Sequence, residues 1–307
     1  MKKCAVVVVT YNRAQLLREN LEALLQQTFS DFDILLIDNA STDGTVDVVR
    51  SFSDPRIRYF NTGKNVGGSG GFAIGMEKSL QGRYAYSWLM DDDSIPEKDA
   101  LESLIRKADL VKDEFSFMAS LVHWTDGKVF PMNYPKGDYK HTAEIDHVCI
   151  SKYHLIPIGT CSFVGCFVNN AVAQKTWLPI REFFIYGDDV EYTYRLRAFK
   201  QAYLDTTSVI LHKTASIQGA DIASAPAEKI DRYYCQSRNG MYNARKRGAK
   251  SVLVRITVIG HRFMRILHLA PDHKAKRIWV LLKGSFAGIF FSPVKRYADL
   301  SSEEEKP

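Results

Sequence analysis

The sequence has few cysteines, and they follow no recognisable pattern. The five are Cys4, Cys149, Cys161, Cys166 and Cys235. An odd number without regular spacing excludes a disulfide framework and indicates reduced thiols in a cytosolic protein. Likewise, 19 glycines and 10 prolines in 307 residues are too few for a collagen-like or low-complexity chain.

Long hydrophobic runs are missing as well. The longest stretch that resembles a membrane span, Ile278–Val294, has 17 residues and is interrupted by Lys283. A bilayer core of about 30 Å requires roughly 20 apolar residues, so we expect no spanning helix. The apolar run Cys4–Val9 has only six residues and no small-residue cleavage site after it. It therefore predicts a buried strand rather than a signal peptide.

Acidic residues are nearly absent from residues 238–297, where 14 lysines and arginines accompany a single acid. Within this block Arg255, Arg262 and Arg265 fall on one stripe of a helix, and aromatic residues follow among lysines. Basic amphipathic helices of this kind bind anionic membrane surfaces, and packing on the rest of the chain or on a second protomer is the alternative. Nucleic acid fits poorly, because the many apolar side chains could neither face phosphates nor stack on bases. Residues 301–307 predict a short, acidic, disordered tail.

The first third of the chain alternates apolar runs with helical patterns. The predicted strands are Cys4–Val9, Ile34–Ile37, Ile57–Phe60 and Tyr86–Met90. Helices are expected between them, the last at about residues 72–80. This β-α-β-α order predicts an α/β fold with a mostly parallel sheet flanked by helices. Ligands of such sheets bind at the carboxyl ends of the strands.

Three of the predicted strands end in polar segments, which are Thr10–Arg13, Asp38–Gly44 and Asp91–Asp93. Each could be an ordinary turn, because Asp, Asn, Ser and Gly are common turn residues. Three such segments at the ligand-binding edge of one sheet favour a functional site.

The triple aspartate carries the strongest chemical signal. Three adjacent carboxylates repel one another, which a fold tolerates where a cation compensates. Alternate residues of extended backbone point the same way, so Asp91 and Asp93 predict one Mg²⁺ or Mn²⁺ site. Such ions commonly bind substrate phosphates, which implies a nucleoside diphosphate or its ester as substrate. The next segment, Ser94–Glu97, resembles a helix start.

Three further segments are candidates for function. Asp188, Asp189 and Glu191 could supply a general base or could simply favour a helix N-terminus, and both interpretations stay open. Asn65–Gly71 resembles a phosphate cradle, although its glycines would equally allow close backbone approach to a ligand or a tight helix entry. His212 ends a late strand, where a histidine is either structural or a metal ligand.

Together these segments resemble the family 2 inverting glycosyltransferases of the GT-A fold, and within them the bacterial galactofuranosyl- and rhamnosyltransferase branch. The matching motifs, in chain order, are Val8–Arg13, Asp38–Thr45, Asn65–Gly71, Trp88–Asp93, Gly187–Glu191, Arg195, His212 and Tyr233–Asn239. The resemblance implies a GT-A catalytic domain over residues 1–240. A basic amphipathic helical region would then cover residues 241–300, followed by the acidic tail.

The resemblance also implies a donor site, a metal site and a catalytic base. The implied donor-binding residues are Thr10, Asn12, Arg13, Asp38, Asn65, Gly67, Gly68 and Asp92. Asp91, Asp93 and His212 would hold Mn²⁺ or Mg²⁺. Asp189 would be the base, with Asp188 as the alternative within the pair.

The implied reaction moves a hexosyl group from a nucleoside-diphosphate sugar to a hydroxyl of a cell-surface glycan or polyprenyl-linked glycan, with inversion. UDP-galactofuranose is the expected donor and dTDP-rhamnose the alternative. A sugar nucleotidyltransferase and an inactive carbohydrate-binding scaffold are the rival classes. We expect a cytoplasmic protein, peripheral at the inner face of the cell membrane, with self-association left open.

Overall fold

A mixed ten-stranded β-sheet organises the computed structural model of this chain, which describes residues 3–137, 152–214 and 221–301. The strands are β1 (Cys4–Thr10), β2 (Phe32–Asp38), β3 (Ile57–Asn61), β4 (Tyr86–Asp91), β5 (Ser94–Pro96), β6 (Phe117–Trp124), β7 (Lys136–Gly137), β8 (Leu155–Thr160), β9 (Cys166–Asn169) and β10 (Ala202–His212). Their order across the sheet is β3-β2-β1-β4-β9-β6-β10-β8-β7, and β5 pairs with the end of β10. Cys149 and, apart from Ser301, the predicted acidic tail lie outside the described residues.

Nine α-helices lie in these described ranges. They are α1 (Ala14–Leu25), α2 (Thr45–Arg50), α3 (Gly67–Gln81), α4 (Ala100–Leu110), α5 (Asn170–Ala173), α6 (Asp188–Arg197), α7 (Tyr233–Arg247), α8 (Ala249–Leu269) and α9 (Lys274–Phe290). Two 3₁₀ turns, Arg181–Phe183 and Ala227–Arg232, precede α6 and α7.

The parallel half of the sheet confirms the predicted α/β fold. Strands β3, β2, β1 and β4 are all parallel, and β1 is buried along its whole length. Val6 and Val8 lie in the core on the α1 side, whereas Val7 and Val9 lie in the core on the α3 side. Burial on both faces explains why β1, β2 and β4 are largely apolar rather than alternating, whereas the edge strand β3 is only partly buried.

The register of these strands brings the predicted polar ends together. Thr10 lies opposite Asp38, and Asp91 lies opposite Val9 at the same edge of the sheet. The loops that follow β1, β2 and β4 therefore meet at one place, as expected for the ligand-binding edge of a parallel sheet.

The helix expected at about residues 72–80 begins earlier, because the glycines of Asn65–Gly71 lie largely inside α3. A Cβ on Gly71 would lie 2.6 Å from Cγ1 of Val9, and one on Gly75 would lie 2.2 Å from Cγ1 of Val7. Two glycines thus let α3 pack directly on β1, a tertiary requirement that overrides their poor helix propensity.

The helix start predicted at Ser94–Glu97 is wrong. Ser94–Pro96 is a short strand that pairs with β10, and the next helix begins only at Ala100. The run Lys128–Met132 forms no strand and contributes one isolated bridge, between His123 and Val129. Ser94–Pro96 pairs with β10 and Val129 with β6, so both segments follow long-range backbone hydrogen bonding that local sequence does not encode.

The C-terminal helices pack on one another around a small core of their own. Ile230, Tyr233, Ile266 and Leu281 are among its buried residues. The expected boundary between residues 240 and 241 falls inside α7, so the helical region begins before it. No helix in the described part of the chain is long and apolar enough to span a membrane.

Candidate active site

The loop after β1 is tied to the loop after β2. Asn12 has a positive φ of 52° and accepts a hydrogen bond from the backbone N–H of Thr42 at 2.7 Å. The Ser41 hydroxyl accepts one from the backbone N–H of Asn12 at 2.9 Å. The side chain of Asn12 therefore holds two predicted donor-binding loops in register.

Asp38 is fully buried at the end of β2. Its carboxylate accepts hydrogen bonds from the backbone N–H of Ser41 at 2.9 Å and from the Tyr59 hydroxyl at 2.6 Å. Asp38, a predicted donor-binding residue, therefore also fixes the backbone of the loop that follows β2. Tyr59 was not predicted, because it stands in an otherwise apolar strand pattern.

Asp92 is buried against the loop after β1. It accepts hydrogen bonds from the Thr10 hydroxyl at 2.8 Å and from the Arg13 guanidinium at 3.2 Å. Burial raises the pKa of Asp92 to about 6, although the charge of Arg13 opposes the shift. Thr10 and Arg13, both predicted donor-binding residues, therefore reach the triple aspartate directly.

Asp93 lies between a guanidinium and an imidazole. Arg13 Nη1 is 2.6 Å from its Oδ2, and His212 Nε2 is 3.1 Å from its Oδ1. Burial raises the pKa of Asp93, but His212 and Arg13 outweigh that effect and hold it below its usual value.

Asn133 decides the protonation of His212. Its Oδ1 lies 2.8 Å from His212 Nδ1, and its amide nitrogen donates to the Ser162 hydroxyl at 2.9 Å. Since an amide oxygen only accepts, Nδ1 must carry the proton. The remaining nitrogen, Nε2, faces the carboxylate of Asp93, so either a proton or a metal cation must separate the two. Sequence carried no signal for Asn133, which lies 79 residues from His212.

Asp91 is partly exposed at the end of β4. Burial, together with the charges of Asp93 and Asp92, raises the pKa of Asp91 to about 7. No group of three His, Cys, Asp or Glu side chains placed to hold one ion exists among the described residues. The structure therefore brings two of the three predicted metal ligands, Asp93 and His212, into contact and leaves Asp91 beside them.

The second acidic cluster begins α6, after a loop with unusual backbone angles. Phe184, Tyr186 and Gly187 have φ values of 64°, 70° and 84°. Asn239 donates hydrogen bonds to the carbonyls of Phe183, Ile185 and Tyr186 at 2.8–3.1 Å. Backbone in sparsely populated regions persists where the surroundings fix it, and Asn239 supplies that restraint.

The three acids of this cluster have different surroundings. Glu191 forms a two-pronged ion pair with Arg195, at 2.7 and 2.9 Å. Asp188 is buried, and burial together with the charge of Asp189 raises the pKa of Asp188 to about 7. Asp189 is partly exposed and accepts a hydrogen bond from the backbone N–H of Val190 at 2.7 Å. Asp189 is thus the more accessible member of the pair.

The start of α3 contacts the loop before α6. The backbone N–H of Ser69 donates to the carbonyl of Phe184 at 3.2 Å. Gly67 has a φ of +74°, and a Cβ there would lie 2.1 Å from the same carbonyl. Asn65 accepts from the N–H of Gly67 at 2.8 Å, whereas nothing lies within 4 Å of a Cβ on Gly68. The glycine segment therefore contacts the loop before α6 and, through Asn39, the loop after β2, and it keeps an open position at Gly68.

Comparison with known proteins agrees with this arrangement. The family model "Glycosyl transferase family 2" matches residues 5–155. A galactofuranosyltransferase of Mycolicibacterium smegmatis is 29% identical over 196 residues, which are 63% of this chain and 64% of that protein. A GalNAc(5)-diNAcBac-PP-undecaprenol beta-1,3-glucosyltransferase of Campylobacter jejuni is 34% identical over 111 residues, 35% of each chain.

A solved structure has the same fold. Residues 1–349 of TarS from S. aureus, in complex with UDP, superpose with a TM-score of 0.55 at 15% identity, covering 94% of this chain and 72% of that one. The match to the family model, the shared fold and the order of the motifs lead to one conclusion. Residues 5–155 of this chain form a glycosyl transferase family 2 domain, and the fold is GT-A.

Proposed function

We propose that this protein transfers a hexosyl group from a nucleoside-diphosphate sugar to a hydroxyl of a glycan or lipid-linked glycan, with inversion at the anomeric carbon. The observation that carries the proposal is that the start of α3 contacts the loop before Asp188 and Asp189 and, through Asn39, the loop after β2, at the edge of the sheet where β4 ends in Asp91–Asp93. One cluster suits a diphosphate and its counter-ion, and the other suits a proton acceptor.

The donor we favour is UDP-galactofuranose, with dTDP-rhamnose as the alternative. The mycobacterial relatives are galactofuranosyltransferases, and the structural neighbour was solved with UDP. The chain spans about two thirds of the length of those relatives, so donor and acceptor are assigned here by similarity alone. The undecaprenol-linked substrate in the name of the C. jejuni relative supports a lipid-linked acceptor.

A divalent cation, Mn²⁺ or Mg²⁺, fits the chemistry of the triple aspartate. Asp91, Asp93 and His212 would hold it, because they offer two carboxylates and the Nε2 atom of an imidazole whose Nδ1 already faces Asn133. A bound cation would offset the charge that grows on the departing diphosphate.

The residues of the chain account for the remaining chemistry. A carboxylate oxygen of Asp189 takes the proton of the acceptor hydroxyl, whose oxygen forms the new bond to the anomeric carbon. The bond from that carbon to the diphosphate oxygen breaks on the opposite face, and the nucleoside diphosphate leaves. Arg13, already beside Asp92 and Asp93, is placed to bind the phosphates of the donor.

A thermal-unfolding panel tests the donor assignment. The full chain is heated with each of several nucleotide sugars, with and without Mn²⁺, because a bound donor stabilises the folded state. We expect UDP-galactofuranose with Mn²⁺ to raise the Tm most, and Asp93→Asn to abolish the increase. Equal stabilisation without any divalent cation would contradict the metal site, and stabilisation by no nucleotide sugar would contradict the function.

A further inference from the structure

The arginine stripe of α8 faces the protein rather than the solvent. Arg255 Nη2 donates to the carbonyl of Gln236 at 3.3 Å, and Arg262 Nη1 donates to the Gln236 side chain at 2.7 Å. Arg265 pairs with Asp221 at 2.5 Å. The stripe that sequence suggested for anionic lipid therefore anchors α8 to its neighbours, and the opposite side of the helix is the outer one.

The outer side of α8 and α9 is apolar. We call this surface the apolar hairpin face, and it consists of the exposed residues Leu253, Val254, Ile256, Met264, Leu267, Leu269, Trp279, Leu282, Phe286, Ile289 and Phe290. The three aromatic side chains are 63–70% exposed. On α9 the spacing of Trp279, Leu282 and Phe286 places them on one stripe of the helix.

The orientation of α9 is fixed by its other side. A Cβ on Gly284 would lie 2.6 Å from the carbonyl oxygen of Tyr234, and one on Gly288 would lie 2.4 Å from that of Arg238. Because neither residue has a Cβ, α9 packs in direct contact with the backbone of α7. Rotating α9 to bury its aromatic side chains would break this contact, so no described residue can cover the apolar hairpin face without disrupting the packing of α9 on α7.

The charge around this face identifies the partner. Lys250, Lys274 and Lys283 are exposed on the same two helices, and the single acid of residues 238–297, Asp272, pairs with the buried Arg277. A second copy would bring like charges together, whereas anionic headgroups complement them. Indole rings also favour the boundary between headgroups and acyl chains.

We propose that the apolar hairpin face lies in the interfacial layer of an anionic lipid bilayer, with its aromatic side chains below the headgroups. The face adjoins the loop before α6, because Phe291 follows α9 and packs against Phe183 and Tyr242. Arg296 further along pairs with Glu182 at 2.7 Å. Binding to lipid would therefore place the candidate base, Asp189, next to the membrane surface.

Vesicle co-sedimentation of the full chain tests this proposal. Vesicles of phosphatidylglycerol and phosphatidylethanolamine in equal parts should pellet the parent chain. Trp279→Asp and Phe286→Asp should each lower the partition coefficient by about tenfold, the order expected for one aromatic side chain lost from an apolar layer. Leu110→Asp is the matched control, because Leu110 is 44% exposed and lies outside the apolar hairpin face. Its neighbour Asp109 pairs with Lys3, which directly precedes β1. The Leu110→Asp variant should bind like the parent.

Tryptophan fluorescence gives a second readout. Lipids brominated on the acyl chains should quench Trp279, since Trp88 is fully buried and Trp124 and Trp177 are half-buried. Trp279→Phe should still bind vesicles but lose the quenching. Failure of the parent chain to bind, or unchanged binding by a folded Phe286→Asp variant, would overturn the proposal. So would a concentration-dependent dimer that Phe286→Asp abolishes, because a second copy would then cover the face.

Discussion

The three carboxylates in the first turn of α6 differ in burial and in their partners, and these differences suggest different roles. Glu191 is held by Arg195, and Asp188 is buried with a pKa raised to about 7 by burial and by the charge of Asp189. Asp189 is the partly exposed acid of the three, in the first turn of α6. These surroundings favour Asp189 as the residue that meets an acceptor from solvent.

Asp189→Asn should lower kcat by roughly 10² to 10⁴, the usual contribution of a positioned general base. The amide has nearly the same shape and still forms hydrogen bonds, but it cannot take the acceptor proton at neutral pH. Affinity for donor and for Mn²⁺ should stay close to that of the parent. Steady-state kinetics and calorimetric titration with UDP measure the two effects separately.

Asp188→Asn is the matched control and should have the milder effect on kcat, because its carboxylate is buried beside the base. If Asp188→Asn is inactive while Asp189→Asn still turns over, the choice within the pair is wrong. Loss of donor affinity in proportion to activity in Asp189→Asn would instead assign that residue to the donor site.

Helix α3 has glycines in two different environments within its first three turns. Gly71 and Gly75 face β1, where the missing Cβ atoms allow close packing. Gly68 lies at the start of the same helix with nothing near its missing Cβ, on the side where a donor is expected. The two kinds of glycine therefore respond differently to the same substitution.

Gly75→Ala should lower the free energy of unfolding by about 1–3 kcal/mol, because its Cβ would lie 2.2 Å from Val7. Gly68→Ala should change it by less than about 1 kcal/mol, since the helix accepts alanine and no atom is close. We expect Gly68→Ala to weaken donor binding by about tenfold. Urea unfolding and UDP titration check both. Unchanged UDP affinity in Gly68→Ala would remove Gly68 from the donor site.

The parallel half of the molecule could be predicted from sequence because strands buried on both faces are unmistakable apolar runs. The polar segments that follow β1, β2 and β4 then predict a candidate site at the carboxyl edge of the sheet. The contact of Asn133 with His212 could not be predicted, since it joins loops that are distant in sequence. The start of α3 at Gly67 could not be predicted either, because glycine has a poor helix propensity and is favoured there only by close packing on β1.

The C-terminal helices illustrate a different limit. An amphipathic sequence with arginines on one side and apolar residues on the other fits two orientations. Arg255 donates a hydrogen bond to the carbonyl of Gln236, and Arg265 pairs with the carboxylate of Asp221. These contacts hold the arginine side of α8 against the protein and leave its apolar side exposed. The C-terminal helices are rich in lysine and arginine, but the apolar hairpin face that they expose is formed by hydrophobic side chains.

The anomeric configuration of the transfer product tests the proposed function most directly. The full chain is incubated with UDP-galactofuranose, Mn²⁺ and a synthetic alkyl galactoside as acceptor, and the proton coupling at the new anomeric carbon is read by NMR. A single displacement assisted by Asp189 predicts the configuration opposite to that of the donor. A product that retains the donor configuration would contradict it, and so would the absence of transfer from every nucleotide sugar that binds.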